Sequence, residues 1–157
     1  MFKWGMLKIE IIAAGRLKKG PSFELCEEYI KRIKWPLAIY EVESKSKDGQ
    51  AAQREEIQKI KEHIKPQAFI VALDKKGKNL GSMDFSQTME KIQNSGKDYI
   101  QFIIGGAEGL TDEIIKRANL VLSFGQPTWP HILARIMLLE QIYRAQQILI
   151  GHPYHRE

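Results

Sequence analysis

The segment Gly105-Gly106-Ala107-Glu108-Gly109 has the residue types that let a ligand approach the main chain. It follows an apolar run, 99–104, and glycines directly after a buried strand leave backbone N–H and C=O groups free to hydrogen-bond. Its spacing and its late position exclude the dinucleotide-binding fingerprint. Taken alone, the segment is explained equally well by a ligand-binding loop and by a plain turn.

A second segment, 124–131, combines a glycine with two prolines and reads Phe-Gly-Gln-Pro-Thr-Trp-Pro-His. Such a loop keeps its shape before a ligand arrives, which lowers the entropic cost of binding. Phe124 and Trp129 offer apolar surface to a planar ring. The alternative is an ordinary helix start with Trp129 in the core.

The end of the chain, 151–157, reads Gly-His-Pro-Tyr-His-Arg-Glu. Chain ends are usually poorly ordered, but this one carries two histidines, a tyrosine and an arginine. Aromatic and basic side chains together stack on a base and hold phosphate, which indicates RNA. His152 and His155 could be read as a metal pair, but Pro153 forbids a helix and no third ligand is evident, so we predict no metal.

The elements that must position these segments alternate along the chain. Strands are predicted at 7–13, 37–42, 68–73, 99–104 and 119–124. Helices are predicted from a cap at Ser22 to about 33, over 50–64, from a cap at Asp84 to 93, from Thr111, and over 131–149. This alternation predicts an α/β domain with a mostly parallel sheet and helices on both faces. Ligands of such sheets lie beyond the carboxyl ends of the strands, so we expect the site in the loops after Leu73, Ile104 and Phe124.

Composition sets the class of protein. The chain has 157 residues, which form a single domain (1–157), and it is 43% hydrophobic, which excludes disorder. Its 24 basic and 19 acidic residues give a formal net charge of +5, which permits a polyanionic partner. The lone Cys26 excludes an intrachain disulfide, and no run of about 20 apolar residues is present. We therefore predict a cytoplasmic protein with no membrane contact, whose residues 1–5 are a short extension without a secretory signal.

The predicted helix 131–149 is apolar around nearly its whole circumference. Such a helix must be buried on all sides, and the remaining elements offer no obvious second cover, so we predict a homodimer through this helix. Arg135 follows His131 by one turn and shares its face, whereas Arg144 points to the opposite side. We predict a functional role for Arg135 and a structural pair between Arg144 and Glu140.

The sequence resembles the RlmH (YbeA-like) family of small SPOUT-class methyltransferases that act on large-subunit ribosomal RNA. The resemblance runs from Met6 to the last residue. It is carried by Gly105-Gly-Ala-Glu-Gly-Leu, Trp129-Pro-His131, Leu-Leu-Glu140-Gln-Ile-Tyr143-Arg144-Ala, the final His152-Pro-Tyr-His-Arg-Glu157, and the opening from Leu7 through Ala-Ala-Gly15-Arg-Leu-Lys.

This resemblance implies a trefoil-knotted, dimeric α/β domain that binds S-adenosylmethionine in the knot. The implied reaction is methylation of N3 of a pseudouridine in 23S ribosomal RNA. The implied cofactor-binding residues are Leu73, Gly105, Phe124, Gly125, Gln126, Pro127, Thr128 and Trp129. They belong to the three loops selected above.

A pseudouridine N3 must lose its proton before it attacks a methyl group, so a modest base and a cation are expected at the site. The residues predicted to act in catalysis are His131, Arg135, Tyr154, His155 and Arg156. Arg156 would stabilise the anion, and either His155 or His131 would move the proton. The alternatives are a SPOUT enzyme acting on transfer RNA or on a ribose oxygen, and an RNA-binding module without catalysis. Arg16, Lys18 and Lys19 either contact phosphates or form a solvated basic loop.

Overall fold

The computed structural model describes residues 7–156, and the predicted extension 1–5 lies outside this range. The strands are β1 (Lys8–Ala14), β2 (Leu37–Val42), β3 (Phe69–Lys78), β4 (Tyr99–Ile104) and β5 (Leu120–Leu122). The helices are α1 (Pro21–Arg32), α2 (Gly49–His63), α3 (Ser82–Asn94), α4 (Asp112–Arg117) and α5 (His131–Leu149).

The five strands form one parallel sheet in the order β2-β1-β4-β3-β5. Alternate residues of β1 enter different cores: Ile9 and Ile11 face α1, α3 and α5, whereas Ile12 faces α2 and α4. The side-chain period of two in a strand produces this division. The predicted α/β class with helices on both faces is confirmed, and the trefoil knot stays a prediction of the family resemblance.

Two helices begin earlier than their predicted caps. The N-cap of α1 is Gly20, with Pro21 in the first turn, so Ser22 lies inside the helix. A proline at the first helical position suits the helix because its missing N–H would have no partner there. Likewise α3 starts at Ser82 after Gly81, and Asp84 lies in its first turn.

The strand that precedes the site is longer than predicted. After Leu73 the register with β5 shifts, and Lys78 pairs with Leu122 as Leu73 does. The backbone N–H of Ser123 donates to the Lys78 carbonyl over 2.8 Å. Residues 74–77 therefore bulge out of the ladder beside the carboxyl end of β5.

Helix α5 lies between α1 and α3 of its own chain. Leu138, Leu139 and Ile142 are completely buried there, while Leu133 stays 43% exposed. The expectation that the chain has no second cover for this helix is therefore wrong. The surface of α5 that a partner could still cover is a strip around Leu133, and not the whole circumference of the helix.

Candidate functional site

Residues 73–75, at the start of the β3 bulge, meet the loops that follow β4 and β5 in one cavity of about 620 Å³, here called the cofactor cavity. Their convergence follows from the parallel sheet, whose carboxyl strand ends share one edge. Seven of the predicted cofactor-binding residues line it, namely Leu73, Gly105, Phe124, Gly125, Pro127, Thr128 and Trp129. Gln126 does not line the cavity, although it lies in the same loop.

The loop after β5 is fastened by its own polar groups. The indole N–H of Trp129 donates to the Phe124 carbonyl over 3.1 Å. The Ser123 hydroxyl donates to the Lys75 carbonyl over 3.1 Å and accepts from the Gly125 N–H over 3.0 Å. These bonds join the β3 bulge to the loop after β5, so this wall of the cavity is formed before a ligand binds.

The loop after β4 is a tight reversal that needs its first glycine. A Cβ at Gly105 would lie 2.8 Å from the backbone carbon of Gly109. The Gln53 amide donates to the carbonyls of Glu108 and Gly109 over 3.1 and 3.3 Å. Helix α2 therefore binds the carbonyls on one side of this loop, and the other side of the loop faces the cavity.

His131, the first residue of α5, stands in the cavity wall opposite Gly15. Gly15 has φ +95°, a backbone conformation that favours glycine. A Cβ at this position would also lie only 2.9 Å from His131 Nε2. Burial, followed by the Arg135 charge, lowers the pKa of His131 below its ordinary value. Its imidazole is therefore neutral near pH 7 and has one lone pair available to accept a proton.

Arg135 does not line the cofactor cavity. Its guanidinium is buried, donates to a Glu41 carboxylate oxygen over 2.7 Å and to the Gly15 carbonyl over 3.1 Å. The same Glu41 oxygen accepts from the Leu17 N–H over 2.7 Å. These contacts show that Arg135 holds the loop after β1 against α5, and its predicted part in catalysis stays a prediction.

We expect Arg135→Met to lower the free energy of unfolding by about 3 kcal/mol, the range for breaking a buried ion pair. The reason is that Glu41 and the Gly15 carbonyl both lose their donor. Urea unfolding measures the change. The matched control is Arg32→Met, since Arg32 pairs with Glu28 in the open, with side chains about half exposed, and should lose no more than about 0.5 kcal/mol. Equal losses would contradict the structural role.

The C-terminal tail (Gly151–Arg156 as described) lies on the second half of its own α5. The Tyr154 hydroxyl donates to a Glu140 carboxylate oxygen over 3.2 Å, and its ring meets Tyr143 edge-on at 4.8 Å. Ala134, which lines the cofactor cavity, lies about 9 Å from Glu140 and about 13 Å from Tyr143 along the helix axis. The expected tail over the cavity is therefore not found within one chain.

Arg144 and Glu140 form the predicted structural pair, with contacts of 2.6 and 2.9 Å. Arg144 also has a contact that the sequence did not indicate, because its NH1 lies 3.1 Å from His155 Nδ1. A guanidinium only donates, so Nδ1 must accept and the ring proton lies on Nε2. His155 is thus held as a hydrogen-bond donor through Nε2, which has no partner among the described residues.

The pKa of Tyr154 is raised, first by burial and then by the nearby Glu140 charge. Its hydroxyl therefore stays protonated and serves as a donor.

Asp74, which lines the cofactor cavity directly after the apolar part of β3, was missed by sequence reasoning. The signal was present, because an acidic residue at the carboxyl end of a buried strand faces the ligand edge of the sheet.

Within residues 7–156, no three His, Cys, Asp or Glu side chains are grouped so that they could hold a metal ion. A separate search of the same residues finds no helix with the length and apolar character to cross a bilayer.

The fold and the cavity define an α/β ligand-binding domain whose site is built from strand-end loops. The family model described as "Predicted SPOUT methyltransferase" matches residues 7–155, and the chain belongs to this family. The resemblance noted from the sequence is thereby confirmed.

Individual relatives agree with this assignment. A protein of Rhodospirillum centenum named "Ribosomal RNA large subunit methyltransferase H" is 45% identical over 151 residues, covering 96% of this chain and 99% of the relative. A protein of the same name from Bradyrhizobium diazoefficiens is 41% identical over 159 residues, with 96% and 99% covered. A putative methyltransferase of Legionella pneumophila, solved with bound SAM, shares the fold with a TM-score of 0.51, 16% identity, and 89% and 67% of the chains covered.

Proposed function

We propose that this protein methylates N3 of a pseudouridine in 23S ribosomal RNA, using S-adenosylmethionine and acting on assembled ribosomes in the cytoplasm. The observation that carries the proposal is the cofactor cavity, found in a chain whose relatives over nearly its full length are named large-subunit ribosomal RNA methyltransferases. The same relatives support an RNA substrate within the ribosome.

The cavity fits the proposed cofactor. Its volume of about 620 Å³ lies within the ~300–1,000 Å³ usual for such sites. Phe124 and Trp129 supply apolar surface for the adenine ring, the Gly105 loop supplies backbone groups, and Asp74 supplies a carboxylate for hydroxyl or ammonium groups. When bound, the cofactor supplies a methyl group on a positively charged sulfur, so transfer forms one N–C bond, breaks one S–C bond and leaves a neutral thioether.

The chain's own residues deal with the proton and the negative charge. His131 is neutral and lines the cavity, so it accepts the proton from N3. The resulting imidate anion needs donors, and the tail offers the exposed Arg156 guanidinium and the unpartnered, buried His155 Nε2–H, while the Tyr154 hydroxyl would have to exchange Glu140 for the anion. The contact of Arg144 with the acceptor nitrogen of His155 supports His131, rather than His155, as the proton acceptor.

A homodimer brings these two groups together. If α5 pairs antiparallel with its copy across a two-fold axis, the end of one helix lies beside the start of the other. One subunit's tail then faces the cofactor cavity of its partner. The exposed Leu133, with partly buried Ile136 and Met137 on the same side, supplies apolar surface for this pairing.

We expect Trp129→Ala to raise the Kd for S-adenosylmethionine about tenfold to a hundredfold. The change removes a planar apolar surface and also the N–H that fastens the loop to Phe124. Isothermal titration calorimetry measures the affinity. Trp129→Phe keeps an aromatic face without the N–H and should lie between the two; a Trp129→Ala protein with unchanged affinity would place the cofactor elsewhere.

The function is tested by incubating the protein with methyl-labelled S-adenosylmethionine and either assembled ribosomes or transfer RNA, followed by mapping of the labelled nucleotide. The expected result is label at N3 of one pseudouridine of the large subunit. Label on a ribose oxygen or in transfer RNA would assign a different SPOUT reaction. Binding of RNA without binding of the cofactor would identify a non-catalytic module.

A further inference from the structure

A second cavity of about 680 Å³ lies at the carboxyl ends of β1 and β2, next to the cofactor cavity. It is bounded by residues 14–16 after β1, by the segment 43–49 and by the loop after β4. Four residues line both cavities, namely Gly106, Ala107, Glu108 and His131. The two cavities therefore adjoin along the loop after β4 and at the His131 imidazole.

This second cavity has one cation on each of two walls. Arg16 follows β1 and Lys47 lies before α2, and both side chains are exposed. Within residues 7–156 neither is paired with a carboxylate, whereas Arg32, Lys59, Lys61, Arg135 and Arg144 all are. Unpaired cations on opposite walls are available for phosphate groups.

The rest of the lining can accept hydrogen bonds. Glu43 and Glu108 are exposed at the rim, and Glu56 lies deeper, where a Cβ at Gly106 would come within 2.7 Å of its carboxylate. Burial, with a smaller effect of Glu55, raises the pKa of Glu56. A lining of cations alone would indicate a groove for backbone phosphates only. The mixture of cations and acceptors matches a whole nucleotide, which has phosphates together with N–H and hydroxyl donors.

We propose that this second cavity receives the target nucleotide of the RNA, with its flanking phosphates on Arg16 and Lys47 and its base against His131 and Glu56. The proposal rests on the proposed function. An enzyme that modifies a base must take it out of the stack and into a pocket. The donor and acceptor atoms must come to roughly 3–3.5 Å of each other, and the two cavities adjoin beside His131, where their ligands would meet.

The test compares Arg16→Gln/Lys47→Gln with a control of equal charge change, Lys45→Gln/Lys97→Gln, whose side chains are exposed and do not line the cavity. We expect the first double variant to lose about a hundredfold in kcat/KM on ribosomes and to lower the salt slope of ribosome binding by about two. Its affinity for S-adenosylmethionine and its Tm should match wild type. The control should retain wild-type kcat/KM.

Wild-type kcat/KM and ribosome affinity in Arg16→Gln/Lys47→Gln would overturn the proposal, as would equal losses in both double variants. Failure of the proposed function gives a different result, namely no methyl transfer by the wild-type protein. In that case ribosome binding still tests whether the second cavity binds RNA. A loss of ribosome affinity specific to Arg16→Gln/Lys47→Gln supports that role, and unchanged affinity rejects it.

Discussion

A chain that ends at Gly151 is expected to bind S-adenosylmethionine with wild-type affinity and to transfer methyl groups about a thousandfold more slowly. Affinity is kept because the tail does not line the cofactor cavity of its own chain. Turnover is lost because Tyr154, His155 and Arg156 supply the donors for the developing anion, and one such donor is worth about a hundredfold to a thousandfold. Calorimetry and single-turnover methylation of ribosomes measure the two quantities.

The single substitution Arg144→Gln tests whether the tail must be positioned by Arg144 or only be present. It keeps the tail but removes the charge that occupies His155 Nδ1, so His155 loses its fixed tautomer. We expect Arg144→Gln to cause most of the loss in turnover that the chain ending at Gly151 shows, without loss of cofactor affinity. Nitrogen-15 NMR of the imidazole should show the proton on Nε2 in wild type and a mixture of tautomers in Arg144→Gln. Wild-type turnover in the truncated chain would refute a catalytic tail.

Mixed dimers decide whether the tail acts in its own subunit or in the partner. One chain ends at Gly151 and the other carries Gly105→Val, which overlaps the Gly109 backbone and closes the cofactor cavity. If the site is shared, the mixture regains activity through the intact cavity of the first chain and the intact tail of the second. No recovery in the mixture would exclude sharing.

The second large effect concerns the proton acceptor. We expect His131→Gln to lower the rate of methyl transfer about a hundredfold to ten-thousandfold, the usual contribution of a general base. The fold should persist, because glutamine is of similar size at this half-buried position. His63→Gln is the matched control, since His63 packs on Tyr40 and does not line the cofactor cavity. Equal rates in His131→Gln and wild type would exclude His131 as the base.

The pH dependence of this step has a defined sign. The folded-state pKa of His131 lies below its ordinary 6.5, so the neutral, proton-accepting form persists to lower pH than for a free histidine. The rate should hold as pH falls through 6.5 and decline only below the lowered pKa, and His131→Gln should not show this decline. The same shift destabilises the fold in acid: the favourable contribution is present above pH 6.5 and is lost between 6.5 and the lowered pKa.

Much of the fold could be predicted from local patterns. Strand β2 and helix α5 have their predicted bounds, because 37–42 lies between Pro36 and a charged loop, and 131–149 has a proline before it and a glycine after it. The cavity was predictable too, since parallel strands place their following loops together. The return of Lys78 to the ladder was not, because this pairing depends on Leu122, far along the chain.

The fate of each arginine could not be derived from helix phase. The nine-residue spacing correctly predicts that Arg135 and Arg144 leave α5 on opposite sides, but it does not reveal what lies there. Glu41, the partner of Arg135, is 94 residues away, on a strand that the fold brings beneath α5. The position of the tail within its own chain could not be derived for the same reason, because its contacts with Glu140 and Tyr143 depend on a chain reversal at Gly151, which has φ +74°.

The short edge strand β5 has a kinetic consequence. It contains three residues, pairs with β3 alone, and is anchored by Asn119, which accepts from the Ile70 N–H at a separation of 49 residues. Contacts so distant along the chain require costly loop closure and form slowly. The loop that lines the cofactor cavity follows this strand directly, so the cavity is complete only after β5 has paired with β3. During refolding, the recovery of binding to a fluorescent ligand should therefore be slower than the recovery of secondary structure measured by circular dichroism.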